Sequence, residues 1–193
     1  MKNILVIGDV HGKYLDYKEI IDKHNGESIQ LGDFGFNFVH DMHLSFNDVS
    51  KHKVLFGNHD DYTYLNREHS LGNFFIKDDL MCIRGADSID KRFRTINVDW
   101  WENEELSYKE MEEVINVYEL NKPKIVISHD GPQSIIEELF GIRDKSLTRQ
   151  GLEQMLGIHT PNIWIFGHHH KSIDITINGC RFICLNELET FLL

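Results

Sequence analysis

Five short stretches of this chain carry side chains that can ligate a metal, and each follows an apolar run. "GDVHG" at 8–12 offers Asp9 and His11, and "GDFG" at 32–35 offers Asp33. "GNHD" at 57–60 offers Asn58 and His59, "SHDG" at 128–131 offers His129, and "GHHH" at 167–170 offers His168, His169 and His170. Neutral imidazoles with two carboxylates and a carboxamide oxygen form a mixed nitrogen and oxygen donor set. Such a set suits Mn, Fe, Co, Ni or Zn better than Ca or Mg, which prefer all-oxygen shells. The donors are too many for one tetrahedral ion. Two ions about 3.5–4 Å apart, with one carboxylate as bridge, would use them.

Each residue alone also has an ordinary reading. Asp9 and Asp33 could cap helices, Asn58 could be a turn residue, and His11 or His129 could be a satisfied core histidine. Jointly these readings are weak, because they must explain five strand-end loops with complementary donors. His24, His40, His43, His52, His69 and His159 lack such a context and read as structural. In Asp9-Val10-His11 the apolar Val10 can face away while both donors face one way. The same alternation would separate His168 and His170 from His169. The glycines at 8, 12, 32, 57 and 167 permit tight turns and close approach of backbone to a metal or phosphate.

The elements that must position these loops are legible as apolar patterning. Strands are expected at 3–8, 28–33, 53–58, 81–86 (preceded by a weaker "NFFI"), 124–128, 162–166, 172–177 and 181–186. The last two join through Asn178-Gly179, a strong hairpin signal. Helical periodicity covers 14–24 and 106–120. In the second, Ser107 and Glu110 form a capping box, and Met111, Val114, Ile115 and Tyr118 form the apolar stripe. Residues 147–159 read as a short or broken helix. Strands with intervening helices and a final hairpin indicate an α/β protein with mixed sheets. Open α/β sheets place their sites beyond the carboxyl ends of strands, where these loops fall.

The chain has 193 residues, few prolines and no evident repeat, and reads as one domain over residues 1–193. No stretch reaches the roughly 18 apolar residues of a membrane span. The opening "MKNILVIGDVHG" reads as a first buried strand rather than a signal peptide, since its apolar run stops at Gly-Asp. Cys82, Cys180 and Cys184 show no ligand spacing and read as buried thiols, which fits a reducing, cytoplasmic setting. A formal charge of −11 argues against extended nucleic-acid binding, though not against a nucleotide-like substrate.

The ordered series "GDVHG", "GD", "GNHD", "SHDG" and "GHHH", spanning residues 8–170, resembles the calcineurin-like metallophosphoesterase superfamily. The resemblance implies an α/β/β/α four-layer sandwich with two mixed β-sheets and a dinuclear centre at the strand ends. It implies that Asp9, His11 and His170 hold one ion, that Asp33 bridges, and that Asn58, His129 and His168 complete the second. His59 would stand near the substrate as the acid for the leaving oxygen, and His169 would stay out of the shell. Two divalent ions, Mn2+ first among them with Ni2+, Fe2+, Co2+ or Zn2+ as alternatives, would support in-line attack of a metal-bridging hydroxide on phosphorus. The expected substrate is a phosphodiester or a small phosphomonoester.

One departure bears on the subclass. Protein Ser/Thr phosphatases of the superfamily typically continue the second motif as Gly-Asp-x-x-Asp-Arg-Gly and carry Gly-Asn-His-Glu as the third. Here the stretches are "GDFGFNF" and "GNHD", so the phosphate-clamping arginine is missing. A small protein phosphatase of the bacterial or phage type is therefore the second reading. An inert scaffold is a distant third, because no ligand is eroded. Arg84, Arg92, Arg94, Arg143 and Arg149 could replace the arginine, with Arg84 the first choice as a substrate-binding candidate beside Asn58. Residues 85–105, with Trp100 and Trp101, and residues 131–151 are candidate walls that would narrow the site, the tryptophans reading first as packing anchors.

Overall fold

The computed structural model describes residues 3–36 and 50–193. In chain order the elements are β1 (Ile4–Ile7), α1 (Tyr14–Lys23), β2 (Glu27–Gln30), β3 (His52–Val54), β4 (Phe74–Lys77), β5 (Leu80–Ile83) and α2 (Tyr108–Asn121). They continue with β6 (Ile125–Ser128), α3 (Gln133–Phe140), α4 (Leu147–Ile158), β7 (Ile163–Phe166), β8 (Ile173–Ile177), β9 (Cys180–Cys184) and β10 (Thr190–Leu192). One sheet has the order β10-β1-β2-β3 and the other β4-β5-β6-β7-β9-β8. Both are mixed: β1, β2 and β3 run parallel with β10 antiparallel, and β5, β6, β7 and β9 run parallel with β4 and β8 antiparallel at the edges.

The pleat sorts apolar side chains into three cores, which define the four layers. Ile4, Val6, Leu80, Cys82, Ile127, Ile165 and Ile183 point between the sheets. Their neighbours Met81, Ile83, Val126, Trp164, Phe166 and Phe182 point the other way, onto α2, α3 and α4. On the outer face of the smaller sheet, Ile7, Val54 and Phe56 pack against Tyr14, Tyr17 and Ile21 of α1. The period of two along each strand thus builds the expected α/β/β/α sandwich. All three cysteines are buried free thiols. Among the described residues no helix is long and apolar enough to cross a membrane.

The expected strands and helices form, with small differences at their ends. The Ser107–Glu110 capping box opens α2, and Asn178 and Gly179 both take positive φ at the hairpin. One reading needs correction. Residues 147–158 form one unbroken helix, because Gly151 seats it against α2: a Cβ there would lie 2.3 Å from Met111 Sδ. Within residues 131–151, most form α3 and the start of α4, and α3 buries Ile135 and Ile136 in the core. Trp101 is a packing anchor, buried in the α1-side core.

Of the histidines read as structural, His40 and His43 lie outside the described residues. His24 reaches the carbonyls of Asn3 and Glu27, and His52 pairs with Ser28. The ring of His69 is buried and stacks on Phe36 at 5.0 Å between centroids, with no hydrogen bond to Nε2. Burial, with Lys53 and Arg67 nearby, lowers its pKa from the ordinary 6.5 to about 4. The unfolded chain therefore binds this proton first, so stability falls as pH drops from about 6.5 toward 4. The slope is at most about 1.4 kcal/mol per pH unit for one proton. His69→Phe is expected to flatten that part of the profile, as read by denaturant titrations across this range. An unchanged slope would show that another group is responsible.

Candidate metal centre

Because β1, β2 and β3 are mutually parallel, as are β6 and β7, their carboxyl ends lie at one edge of each sheet. Backbone bonds then tie the loops together. Val10 and His11 donate to the Asp33 carbonyl, His129 donates to Ile83, and Gly167 donates to His129. Close approach is built into the glycines: a Cβ on Gly57 would fall 2.2 Å from Asp33 Oδ1, and one on Gly167 would fall 2.3 Å from Asp9 Oδ1.

The structure gathers the sequence-derived donors into two adjoining groups. In the first, His170 Nε2 lies 2.9 Å from His11 Nε2 and 3.1 Å from Asp9 Oδ2. In the second, Asp33, His129 and His168 offer one atom each within 4.8 Å of one another. Asp33 faces both: Oδ2 is 3.8 Å from His11 Nε2 and Oδ1 is 3.4 Å from His129 Nε2. Asn58 Oδ1 reaches His129 Nε2 at 3.3 Å, while its amide nitrogen donates to Ser88 Oγ and so fixes which end faces inward.

These donors fit a cation. His129 Nδ1 must donate to the Leu31 carbonyl at 3.0 Å, which can only accept, so Nε2 presents a lone pair to two further acceptors, Asp33 Oδ1 and Asn58 Oδ1. Three buried acceptors facing one another repel unless a proton or a cation sits among them. A proton can serve. Burial alone would lower His129, but the Asp33 carboxylate, helped by Asp9 and Asp60, raises it to about 10. His129 in turn, with His59 and His11, holds Asp33 far below its ordinary value despite burial. A divalent ion would displace that proton, which couples loading to pH. His168, lowered to about 3 by burial against the pull of Asp130, is a neutral imidazole and ready to ligate.

The backbone achieves this convergence through unusual dihedrals. His11, Asp33, His168 and His170 have φ of 47°, 54°, 65° and 50°. Such left-handed conformations are disfavoured for residues with a Cβ and tend to collect at functional sites. They also correct the reason given for the triplet. His168 and His170 do face the centre and His169 does not, but the three lie beyond β7, so left-handed turns rather than strand pleating separate them.

His169 instead enters a buried network. Its Nε2 lies 2.9 Å from Asp130 Oδ1 and its ring stacks on Phe140 at 4.3 Å. Asp130 Oδ2 accepts from Arg149 Nε of α4 at 2.7 Å, and Gly131 N donates to Oδ1. Asp130, His168 and His169 also lie within 4.8 Å of one another, but the Asp130 oxygens are already engaged. His169→Ala is expected to leave the metal content unchanged. Arg149→Ala should destabilise the fold by about 3–5 kcal/mol, because the buried Asp130 loses its guanidinium. Metal analysis and denaturant unfolding of both variants check this pair, and loss of one ion from His169→Ala would overturn the assignment.

Several residues here were not read from sequence as parts of the site. Asp60 is fully buried and accepts from the amides of Gly57, Phe34, Gly35 and Phe36, locking two ligand loops together. Burial and the nearby Asp33 push its carboxyl up to about 7. Ser88 and Glu104 buttress Asn58 through Ser88 Oγ, which donates to Glu104 Oε2. The only sequence signal was the acid that closes "GNHD". Arg84, the favoured arginine, is buried with its guanidinium engaged by Asn73, the Asn103 carbonyl and the Tyr62 ring. Arg94, from the short 3-10 turn Lys91–Phe93 and its exit, is the arginine placed against His59.

Fold and site together define a class: an α/β/β/α sandwich with two adjoining groups of candidate metal ligands at its strand ends. Residues 2–172 match the calcineurin-like phosphoesterase family, and the chain belongs to that family. No curated relative matches the sequence significantly. Among solved structures, the chain is similar to a dimetal phosphatase from Danio rerio (TM-score 0.59, 13% identity, 97% of this chain and 88% of that one). It is similar also to a putative 5'-nucleotidase from Staphylococcus aureus (TM-score 0.56, 15% identity), covering 96% of this chain but only 48% of that one. The chain thus spans about half the length of the S. aureus protein. A phosphopantetheinyl hydrolase from Mycobacterium tuberculosis shares the fold at TM-score 0.50 and 12% identity, over 96% of this chain and 89% of that one.

Proposed function

We propose that this chain hydrolyses phosphodiesters or small phosphomonoesters, nucleotide-like ones included, with two divalent ions, Mn2+ in first place. The observation that carries this reading is the Asp33 carboxylate, whose two oxygens face two different ligand groups. Asp9, His11 and His170 would hold one ion and Asn58, His129 and His168 the other, with Asp33 shared. When bound, the ions supply Lewis acidity toward a phosphoryl oxygen and toward the attacking water. The protein's own part is to fix these donors in a rigid, partly dry edge and to place His59 beside them as proton donor to the leaving oxygen. The ring centroids of His59 and His11 are 5.5 Å apart. Buried free thiols favour a cytoplasmic setting.

The test is a substrate panel on protein loaded with Mn2+, and separately with Ni2+, Co2+, Fe2+ or Zn2+. It compares bis-aryl phosphate, aryl monophosphate, cyclic nucleotides and a phosphopeptide. Turnover of at least one small ester is expected. Absence of any turnover across all metals would refute the reading, and dominant phosphopeptide turnover would replace it with a protein phosphatase.

A further inference from the structure

We propose that Glu187, held by Lys13, is the positioning residue for His170 and sets how tightly the Asp9, His11 and His170 group holds its ion. This deepens the two-ion reading of the site and rests on it. Glu187 comes from the connection between β9 and β10, which passes from the larger sheet to the smaller. Because β9 runs parallel to β7, that connection leaves the sheet at the edge where His168 and His170 lie.

The connection is pinned to both neighbouring loops. Leu188, at φ 55°, donates its amide to the Asp9 carbonyl at 3.0 Å, and Gly8 donates to the Glu189 carbonyl at 2.9 Å. Glu189 Oε2 takes the Asn186 amide at 2.8 Å and the Ser172 hydroxyl at 2.6 Å, which ties the turn to the segment just past His170. Glu187 is thereby delivered between two ligand loops. Its Oε2 accepts from Lys13 Nζ, and its Oε1 lies 3.7 Å from His170 Nδ1.

The two nitrogens of His170 then have different tasks. Nε2 faces Asp9 Oδ2 at 3.1 Å and His11 Nε2 at 2.9 Å. To ligate through Nε2, the imidazole must carry its proton on Nδ1, and a carboxylate, which can only accept, favours that tautomer. At 3.7 Å the contact acts through charge rather than as a formed hydrogen bond, and Lys13 keeps the carboxylate from turning to solvent. The second group needs no such help. His129 is fully buried, and its rear nitrogen is assigned by the Leu31 main-chain carbonyl. His170 is 43% exposed, so its ring has more orientations to lose, and a side chain takes the task that the backbone performs for His129.

The test titrates Mn2+ by calorimetry into metal-free wild type, Glu187→Ala, Glu187→Gln and Lys13→Met. Glu187→Ala is expected to weaken one of the two ions by roughly 10–100-fold, the usual cost of losing the partner behind a histidine ligand, and to leave the other within about threefold. Glu187→Gln keeps an acceptor without the charge and should fall between wild type and Glu187→Ala. Lys13→Met deletes a cation beside the site, which alone would tighten binding of an ion; a held carboxylate predicts weaker binding of the same ion instead. Two readouts separate positioning from a merely structural role. The Tm of the metal-free protein should not change in either Glu187 variant. In Zn2+-loaded protein with 15N-labelled histidine, the Nδ1–H signal of His170, identified by its absence in His170→Gln, should move upfield in Glu187→Ala. Equal weakening of both ions, no weakening in Glu187→Ala, or tighter binding in Lys13→Met would overturn the proposal and leave the hydrolase reading intact. A wild type that binds two ions and cleaves no ester would sink the hydrolase reading alone, since the affinities still decide the role of Glu187.

Discussion

Replacing Asp33 by asparagine is expected to cost the protein its two-ion centre while leaving the fold standing. Asparagine has nearly the same shape, tolerates the left-handed φ of 54° at this position, and can still accept the His59 amide through Oδ1. What disappears is one negative charge between two groups of imidazoles. That charge would offset the repulsion between two bound cations, and it also lifts His129 to about 10. Losing an outer-shell partner of a metal ligand typically costs 10–100-fold in affinity or activity. A shared ligand should cost more, on the order of 10³-fold in turnover, with metal content falling from two ions to one or fewer. Elemental analysis and steady-state rates provide the check, with thermal unfolding as control for the fold. A variant that still binds two ions tightly and turns over normally would show that Asp33 does not bridge.

His59→Ala should behave in the opposite way, keeping both ions and losing rate. The side chain belongs to neither ligand group, and the backbone amide that binds Asp33 survives the substitution. A positioned general acid contributes roughly 10²–10⁴-fold, and the loss should be largest for an alkyl leaving group that needs the proton. A nitrophenyl ester should be affected far less. Burial, opposed by Asp33 and reinforced by Arg94, lowers the imidazole below its ordinary value. The protonated form is therefore scarce at neutral pH, and the wild-type rate on poor leaving groups should fall as pH rises toward 7. That slope should vanish in His59→Ala. Full activity on an alkyl phosphate would remove the acid role without touching the metal centre.

Most of the residues gathered at the candidate centre are legible in the sequence. Each ligand sits just beyond an apolar, β-branched run, so a local pattern identified both the strand and the chemistry at its end. Parallel pairing then needed only to bring those ends to common edges. The legibility has limits that follow from the same cause. Residues 133–140 went unread as a helix because eight residues starting after a proline give little periodicity. A glycine lowers helix propensity, and only the seat of Gly151 against Met111 shows why one stands inside α4. The strand Thr190–Leu192 is too short to signal itself and exists because β1 offers it an edge.

The sequence by itself determined the donor types, their order and the sheets that carry them, since these depend on residue identity and on periods of two or about 3.6. Only the tertiary structure decided which arginine meets the site, because Arg84 and Arg94 differ in what surrounds them rather than in what they are. It also decided that His169 serves Asp130 and Arg149, and that Ser88 and Asp60 orient the ligand loops. The His169–Asp130, Arg149–Asp130 and Asn58–Ser88 contacts join residues 19 to 39 positions apart through side chains alone, and no local period records them.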